Sequence, residues 1–289
     1  AVHAAGQGPQ ILAVSRFSDQ KTREWLESQG VRTIAADLMD RSGVAQLPDA
    51  ANIIYMIGWK FGTTGNPART WAVNTLIPSF IAERYPYARF AALSSGNVYP
   101  FAPVSGGGSL ESDSLTPLGE YANSCVARER IFEYYAQQNG TPMTLVRLSY
   151  ALDLRYGVLV DIAQKVYDGE PVDVGMGYAN AIWQGDANAM IIRSLALAAS
   201  PATALNLTAH RFQVREVAHT FGQLMGKPVS IIGTEQPTAL LSDLSKLHAS
   251  LGKSTLSLDR ILRWTAHWIQ QQGRILGKPT HFEARDGVY

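Results

Sequence analysis

The chain has 289 residues and a mass of 31.5 kDa, enough for one large α/β domain or two smaller domains with a sizeable core. Apolar residues make up 46% and charged residues 17%, which excludes an intrinsically disordered chain. The 25 basic and 24 acidic residues nearly balance and form no long run of like charge, which argues against nucleic-acid and anionic-membrane partners. The single cysteine, Cys125, and the lack of a bilayer-length apolar stretch predict a cytoplasmic globular protein.

The first half of the chain alternates short apolar segments with segments of helical periodicity. Strands are predicted at residues 11–15, 31–36, 52–57, 90–94 and 144–148. Helices are predicted between them at residues 19–28, 67–84 and 121–138. This alternation, with strands that are almost continuously apolar, is typical of a parallel sheet covered by helices on both faces. The predicted fold class is therefore α/β, with a doubly wound Rossmann-like parallel sheet.

The second half of the chain is predicted to be mainly helical. Helices are expected at residues 158–168, 187–199, 214–225, 240–251 and 258–271, and short strands at residues 171–174 and 204–207. The glycine-rich residues 105–109 indicate either a mobile surface loop or a flap over a site. Trp264 and Trp268, one helical turn apart, are interpreted as core residues rather than as a cofactor contact.

The strongest chemical signal is a pair of hydroxyl groups. Ser95 lies at the end of a predicted strand, and Tyr121, 26 residues later, opens the next predicted helix. Ligands of open α/β sheets bind at the carboxyl edge, so both hydroxyls can reach one ligand there. A tyrosine whose pKa is lowered by a nearby cation can exchange a proton with a carbonyl or an alcohol. Either residue alone is more often a satisfied hydrogen-bonding residue.

Further motifs in the same order give the chain a family resemblance. Asp37-Leu38 resembles an adenine-contacting pair, and Tyr-Met-Ile-Gly at residues 55–58 stands where a His-Leu-Ala-Ala strand lines the nicotinamide. Residues 95–99 resemble Ser/Thr-x-x-Val-Tyr, and Tyr121 the tyrosine of Tyr-x-x-x-Lys. Substrate-domain motifs follow at residues 168–171, 183–186, 205–207 and 241–246. Taken together, these motifs resemble the extended short-chain dehydrogenase/reductase superfamily, in its epimerase/dehydratase branch.

The resemblance implies a function and two domains. It implies an NAD(P)-dependent oxidoreductase or epimerase that acts, as a homodimer, on a secondary alcohol or ketone of a sugar-like small molecule. A nicotinamide cofactor would carry the hydride, Ser95 would polarise the substrate oxygen and Tyr121 would exchange its proton. Residues 1–152 would form the dinucleotide-binding domain. Residues 153–289 would form a smaller, mainly helical substrate domain, with residues 176–209 returning to the Rossmann sheet.

The resemblance also assigns binding residues. The residues expected to bind the cofactor are Arg16, Asp37, Leu38, Ile57, Gly58, Asn74 and Cys125. The residues expected to contact the substrate are Asn97, Tyr99, Tyr150 and Arg155. Arg16 suits a 2′-phosphate and favours NADP over NAD; its alternative interpretation is an exposed arginine beside the adenine. Arg155 binds an anionic or polyhydroxyl group, or else forms a structural salt bridge.

The sequence departs from the family's pattern at the lysine of Tyr-x-x-x-Lys, which is Cys125 here. That lysine normally holds the nicotinamide ribose and lowers the pKa of the tyrosine, and a neutral thiol does neither. Lys60, after the third strand, is a candidate for the missing charge, the alternative being a solvated loop lysine. Cys125 is expected to pack on the cofactor rather than act as a nucleophile, because no histidine lies near it in sequence.

Two further departures concern the reaction and the substrate. Gly96 and Asn97 stand where sugar 4,6-dehydratases carry an Asp-Glu pair, so dehydration is disfavoured. Residues 175–183 lack the arginine that nucleotide-sugar enzymes use against a diphosphate, which puts a nucleotide-sugar substrate in doubt. The scattered histidines and the single cysteine predict no metal site.

A dinucleotide-binding fold also needs a strand, a Gly-x-x-Gly-x-x-Gly turn and a helix, and none precedes Ile11. Gly58 to Gly65 resembles such a turn but lies too close to Ser95. A sheet without its central strand would bury two unpaired edges. We therefore expect the natural protein to have a further N-terminal strand, glycine turn and helix, with residues 1–6 as the end of that helix. Intact-mass measurement with N-terminal sequencing tests this expectation.

An alternative function remains from a different class. A non-catalytic cofactor-binding or regulatory protein could keep the fold and lose the active-site lysine. The pair of Ser95 and Tyr121 favours the enzyme, whereas Cys125 favours the non-catalytic protein. The polar tail at residues 276–289 is assigned no chemistry.

Overall fold

A computed structural model describes residues 10–60 and 62–287 of the chain. The strands of the first half are β1 (Leu12–Ser15), β2 (Arg32–Ala35), β3 (Asn52–Tyr55), β4 (Arg89–Ser95), β5 (Ala102–Pro103) and β6 (Met143–Leu148). The helices between them are α1 (Gln20–Ser28), α2 (Arg41–Ala45), α3 (Pro67–Arg84) and α4 (Glu120–Asn139).

The elements of the second half follow the same convention. The strands are β7 (Ala151–Leu152), β8 (Val172–Asp173), β9 (Tyr178–Trp183), β10 (Thr203–Leu207), β11 (His210–Gln213), β12 (Ile231–Ile232) and β13 (Thr238–Ala239). The helices are α5 (Val158–Asp168), α6 (Gln184–Ser194), α7 (Val214–Met225), α8 (Ser245–Leu251) and α9 (Leu258–Gln270).

The central feature is a four-stranded parallel sheet in the order β10-β6-β4-β3. Its register places Ser95 at the end of β4 opposite Leu148 at the end of β6. On one face, α3 and α4 pack over a core that includes Phe90 and Phe132. On the other face, α6 and α8 cover a core that includes Val146 and Leu205. The prediction of an α/β fold with a Rossmann-like parallel sheet is confirmed.

β1 and β2 form a separate parallel pair that is not hydrogen-bonded to the four central strands. Val14 and Ile34 nevertheless pack on the same hydrophobic cluster as Ile53 of β3. The strand, glycine turn and helix expected before Ile11 lie outside the described residues, as does the helix end expected at residues 1–6, and both stay predictions.

The second half packs mainly as helices. α5, α7 and α9 contact one another around a core that contains Val158, Ile162, Phe221 and Ile261. β10 joins the central sheet, while β9 lies in a separate three-stranded sheet between β11 and β7. The boundary between the two predicted domains stays a prediction.

Several predicted elements of the second half need correction. β9 and β11 pair antiparallel and were missed, because β11 presents one apolar residue, Phe212, to the core. The helix predicted at residues 240–251 begins only at Ser245, because Ala239 pairs with Ala102 and Ser242 bridges Ser109. The helix predicted at residues 187–199 spans residues 184–194 and continues as a short 3₁₀ turn.

The glycine-rich residues 105–109 are held in place rather than loose, and a short strand, β5, precedes them. Ser109 donates from its backbone to the Leu241 carbonyl, and Gly108, at φ +98°, packs so closely on the backbone of residues 241–243 that a Cβ would collide.

Trp264, predicted to be core, is 41% exposed and packs edge-on against Trp183. Among the described residues, no helix is both long and apolar enough to cross a membrane.

Candidate active site

A cavity of about 230 Å³ opens at the carboxyl ends of β4 and β6. It lies at the edge of the sheet where ligands of open α/β folds bind. The residues that line it are Lys60, Ser94, Ser95, Gly96, Asn97, Tyr121, Leu148, Ser149, Tyr150, Ala151, Tyr156, Gly157 and Leu240. Both halves of the chain therefore contribute to one cavity, and the predicted pair, Ser95 and Tyr121, lies within it.

Ser95 is held at the end of β4 by the turn that follows. Its Oγ accepts a hydrogen bond from the Asn97 backbone at 3.1 Å and caps the 3₁₀ turn at Gly96–Val98. Gly96 passes close to the residue that follows β6, since a Cβ there would lie 2.2 Å from the Ser149 Oγ. The turn thus keeps the Ser95 hydroxyl in the cavity and brings Ser149 beside it.

Tyr121 enters the cavity from the first turn of α4. Its hydroxyl is hydrogen-bonded to Ser95 and to the thiol of Cys125, one helical turn farther on. Burial is the main cause that raises the pKa of Tyr121 well above its usual range, and the neighbouring Cys125 raises it further. Tyr121 therefore keeps its proton at neutral pH.

Lys60 is the cation on the cavity wall. Its Nζ lies 5.8 Å from the centroid of the Tyr121 ring. Burial lowers the pKa of Lys60, and the nearby Cys125 acts in the opposite direction. Lys60 and Tyr121 thus line the same cavity at the sheet edge, and the proposal that Lys60 supplies the charge of the missing lysine stays a proposal.

Sequence reasoning missed Arg128, which is only 4% exposed. Its Nη1 donates to the Ile57 carbonyl oxygen at 2.9 Å, and its Nη2 donates to Cys125 Sγ at 3.1 Å. Arg128 lies two helical turns after Tyr121, so the spacing i, i+4, i+7 already placed these side chains on one face of α4. The available signal was an arginine on a face predicted to be buried.

The cofactor candidates near the first two strands lie at the carboxyl ends of that pair. Arg16 directly follows β1 and is exposed. Asp37, also exposed, follows β2 and accepts from the Met39 backbone at 3.0 Å, while Leu38 is buried. An exposed arginine and an exposed carboxylate thus stand after two neighbouring parallel strands.

Asn74, which the family resemblance assigns to cofactor binding, contacts the segment after β3. It is buried in α3, where its Oδ1 accepts from the Trp59 backbone at 2.9 Å and its Nδ2 donates to Ser124 Oγ at 2.8 Å. It therefore ties the segment after β3 to α3 and α4 and does not line the cavity. Ile57 and Gly58 lie in that segment, against Arg128.

The four substrate candidates divide into two groups. Asn97 and Tyr150 line the cavity. Tyr99 does not: it is 2% exposed, its hydroxyl donates to Asn206 Oδ1 at 2.7 Å, and it accepts from Arg147. Arg155 forms an ion pair with Asp153, two residues earlier, at 2.8 Å. This is the structural salt bridge that the sequence allowed as one of two alternatives.

A buried ion pair joins β6 to α4, the helix that carries Tyr121. Arg147 on β6 and Glu129 on α4 are both almost fully buried, and three hydrogen bonds of 2.7–3.2 Å join them. Arg147 also donates to the backbone oxygen of Glu111, whose side chain accepts from the Asn206 backbone. The network connects α4, β6 and β10 with the loop before α4.

Unpaired polar atoms test whether a nicotinamide cofactor fits this edge. The Tyr55 hydroxyl at the end of β3, Trp59 Nε1 in the segment after it, Ser94 Oγ of β4 and Arg128 Nε of α4 are buried and have no hydrogen-bond partner in residues 10–60 and 62–287. Buried polar atoms are normally paired, so these atoms suit a polar ligand. No cluster of His, Cys, Asp and Glu able to hold a metal occurs in the same part of the chain.

Comparison with known proteins adds a sequence match and many structural matches. The family model described as NAD dependent epimerase/dehydratase family matches residues 1–155. A search among curated proteins found no significant match. Of the solved structures, a double mutant of DesIV, a dTDP-glucose 4,6-dehydratase from Streptomyces venezuelae with NAD bound, is 15% identical with a TM-score of 0.75, covering 91% of this chain and 88% of that one.

Two other structures have the same fold. UDP-glucose 4-epimerase from Thermotoga maritima, with UDP-glucose, is 16% identical with a TM-score of 0.73 and covers 92% of both chains. A short-chain dehydrogenase/reductase superfamily protein from Agrobacterium tumefaciens, with bound NAD, is 15% identical with a TM-score of 0.73 and covers 91% of this chain and 98% of that one. At these identities the likeness concerns the fold alone.

Proposed function

The chain belongs to the NAD dependent epimerase/dehydratase family, and from this membership we propose that it is an NAD(P)-dependent oxidoreductase or epimerase acting on a secondary alcohol or ketone of a sugar-like small molecule. One observation carries the proposal: the hydroxyls of Ser95 and Tyr121 meet in the cavity at the carboxyl edge of the sheet. Two converging hydroxyls suit a reaction at a carbon–oxygen bond, where one oxygen must be held while its proton is exchanged.

Each residue has a distinct task in this proposal. A bound nicotinamide supplies or takes the hydride, because no side chain can do so. In the reducing direction the Tyr121 O–H bond breaks as the new O–H bond forms on the substrate oxygen, and the oxidising direction reverses this. Ser95, fixed by the Asn97 backbone, holds the substrate oxygen near the phenol. Lys60 supplies positive charge beside the Tyr121 ring.

The residues for the cofactor follow the sheet edge. Gly58, the unpaired Ser94 Oγ and the Tyr55 hydroxyl support a nicotinamide end near Tyr121. Arg16 and Asp37 support an adenosine end after β1 and β2. Several structures with this fold contain NAD. We propose NADP rather than NAD for this chain, because Arg16 offers an exposed guanidinium suited to a 2′-phosphate.

The cavity wall also limits the reaction and the substrate. None of the described residues that line it is an Asp or a Glu, so it offers no carboxylic acid for the loss of water. Among the residues that line it, Ser149, Tyr150 and Tyr156 carry hydroxyl groups in addition to the proposed catalytic pair. We therefore propose a neutral, hydroxyl-bearing substrate and disfavour dehydration.

The test uses the full-length protein. Cofactor fluorescence is measured for the NAD and NADP forms, followed by turnover with a panel of alcohols, ketones and sugars. Tyr121→Phe abolishes hydride transfer, while Tyr134→Phe, on the exposed face of the same helix, leaves it unchanged. Lys60→Ala lowers the rate if Lys60 contributes its charge. Failure to bind either cofactor overturns the proposal.

The alternative function, a non-catalytic cofactor-binding or regulatory protein, is favoured by Cys125 in place of the family's lysine. The thiol is buried and its pKa is raised by burial, so it carries no charge at neutral pH. Tight cofactor binding without turnover on any member of the panel would support this alternative.

A further inference from the structure

The position that should supply a cation to Tyr121 is neutral in this chain. Cys125 stands four residues after Tyr121, where the family's motif has a lysine. The Tyr121 hydroxyl is hydrogen-bonded to the Cys125 thiol, whose pKa is raised by burial. A thiol in this state holds the phenol in place but adds no positive charge.

Arg128, three residues after Cys125 on α4, places a positive charge next to the Cys125 thiol. Its guanidinium is fixed by two hydrogen bonds, to Cys125 Sγ at 3.1 Å and to the Ile57 carbonyl oxygen at 2.9 Å. The residue is buried between α4 and the segment after β3. An arginine keeps its charge on burial, because its pKa lies far above neutral.

No carboxylate in the described part of the chain forms an ion pair with Arg128. The nearest candidate in sequence, Glu129, has both carboxylate oxygens engaged by Arg147. A buried cation that lacks a counter-ion stabilises negative charge on the groups around it. Arg128 therefore favours an anion at this corner of the site.

The groups that respond to this charge can be named. Cys125, Tyr121 and Tyr55 face Arg128, and Glu129 adds its charge from the same helix. Only Tyr121 among these groups lines the cavity. The charge of Arg128 opposes the rise in the pKa of Tyr121 that burial causes.

A glycine makes room for the guanidinium. A Cβ on Gly58 would lie 2.7 Å from Arg128 Nη1, closer than such atoms approach. In the strand motif that residues 55–58 resemble, this position is an alanine. Cys125 and Gly58, the two residues that depart from the family's motifs, thus both lie against Arg128.

We infer that Arg128 supplies, through Cys125, the fixed positive charge beside Tyr121 that the motif's lysine supplies in the family pattern. The inference deepens the proposed function and rests on it for its catalytic consequence. Arg128 is a positioning residue: it touches neither substrate nor reacting atoms. It stabilises the Tyr121 phenolate left when the O–H bond breaks and the proton goes to the substrate oxygen.

Lys60 is a second cation close to Tyr121, and it comes from the segment after β3. Its Nζ lies 5.8 Å from the ring centroid. Burial lowers the pKa of Lys60, so Lys60 loses its proton at a lower pH than an arginine does. The experiments therefore include Lys60→Met as a separate variant.

The first experiment measures the charge without cofactor or substrate. Cys125 is the only cysteine of the chain, so isotope-labelled cysteine gives one titrating NMR signal. Removing the buried charge in Arg128→Met raises the Cys125 midpoint by about one to two pH units. The control is Arg130→Met, because Arg130 lies on the same helix and its side chain is 59% exposed. Equal midpoints in the wild type and Arg128→Met would overturn the inference.

The second experiment moves the charge. In the full-length protein, Arg128→Met lowers kcat for alcohol oxidation about tenfold to a hundredfold and shifts its pH profile upward, with KM nearly unchanged. Combining Arg128→Ala with Cys125→Lys restores the rate, because the cation returns to the motif's position. A double variant as slow as Arg128→Ala, or a wild-type pH profile in Arg128→Met, contradicts the inference. Arg128→Gln, which keeps a donor, replaces Arg128→Met if that variant does not fold.

The two experiments separate this inference from the proposed function. If the wild type transfers no hydride but the Cys125 midpoint rises in Arg128→Met, the proposed function fails and the charge assignment stands. If hydride is transferred and the Cys125 midpoint stays fixed, the proposed function stands and the assignment of Arg128 fails.

Discussion

Tyr121 holds its proton firmly, because burial raises the pKa of its phenol further than Arg128 and Ser95 lower it. Ketone reduction needs the protonated phenol, which dominates at every pH below its pKa. We therefore predict a reduction rate that is independent of pH from about pH 6 to 9, and an oxidation rate that rises about tenfold per pH unit. Steady-state rates in both directions check this. A plateau of the oxidation rate near neutral pH would contradict it.

The buried pair of Glu129 and Arg147 gives a stability prediction. Glu129→Gln leaves the Arg147 guanidinium buried without its counter-ion, so the free energy of unfolding falls by about 3–5 kcal/mol. Urea denaturation measures this loss. The control is Glu133→Gln, because the side chains of Arg130 and Glu133 are 59% and 27% exposed, so the loss of their pair costs less than about 1 kcal/mol. Equal losses in both variants would refute the role given to burial.

At the scale of elements, the C-terminal segment at residues 276–287 ties the two halves together. Thr280 donates to Asp161 Oδ2 of α5 from both its backbone and its hydroxyl. Arg285 donates to the Thr238 carbonyl at 2.7 Å, next to β13 and β5. The segment then reaches Gly119, the residue before α4, and so passes from the helical half to the helix that bears Tyr121.

The contact at Gly119 can be tested by adding one methyl group. Gly119 has φ +83°, and a Cβ there would lie 2.1 Å from the backbone oxygen of Gly287. We predict that Gly119→Ala destabilises the protein by about 2–4 kcal/mol and exposes the C-terminal segment to proteases. Gly140→Ala is the control, because Gly140 has φ +70° but open space around it, so only backbone strain remains. Similar losses in both variants would show that Gly287 does not matter.

Elements with strong local signals could be predicted from the sequence, and those made by distant contacts could not. The bounds of α3 are the predicted ones, because Asn66 caps its first turn and Pro67 suits that position. β9 and β11 depend on pairing between segments that are far apart in the chain. The late start of α8 has the same origin, since Ala239 is drawn into a strand by Ala102.

The same distinction holds within the site. Ser95 and Tyr121 could be predicted because each follows a local motif at a strand end or a helix start. The place of Tyr99 could not, because its hydroxyl turns to Asn206, more than a hundred residues away. Arg128 was missed because its role depends on the carbonyl of Ile57, which another segment brings to α4.

At the scale of the whole molecule, the cavity joins the two halves of the chain. Lys60, Ser95 and Tyr121 come from the first half, and Tyr150 and Tyr156 from the second. A ligand in this cavity therefore touches the sheet edge on one side and the helical half on the other. The homodimer expected from the family resemblance remains a proposal.

The central claim, that Tyr121 exchanges the substrate proton during hydride transfer, is tested most directly by following an isotope. The full-length protein is given reduced cofactor labelled with deuterium at the transferring carbon and a reactive ketone, and the product is analysed by mass spectrometry. The account predicts one deuterium per product molecule for the wild type and Tyr134→Phe, and none for Tyr121→Phe. Label transfer by Tyr121→Phe at the wild-type rate, or tight cofactor binding without label transfer by the wild type, would contradict it.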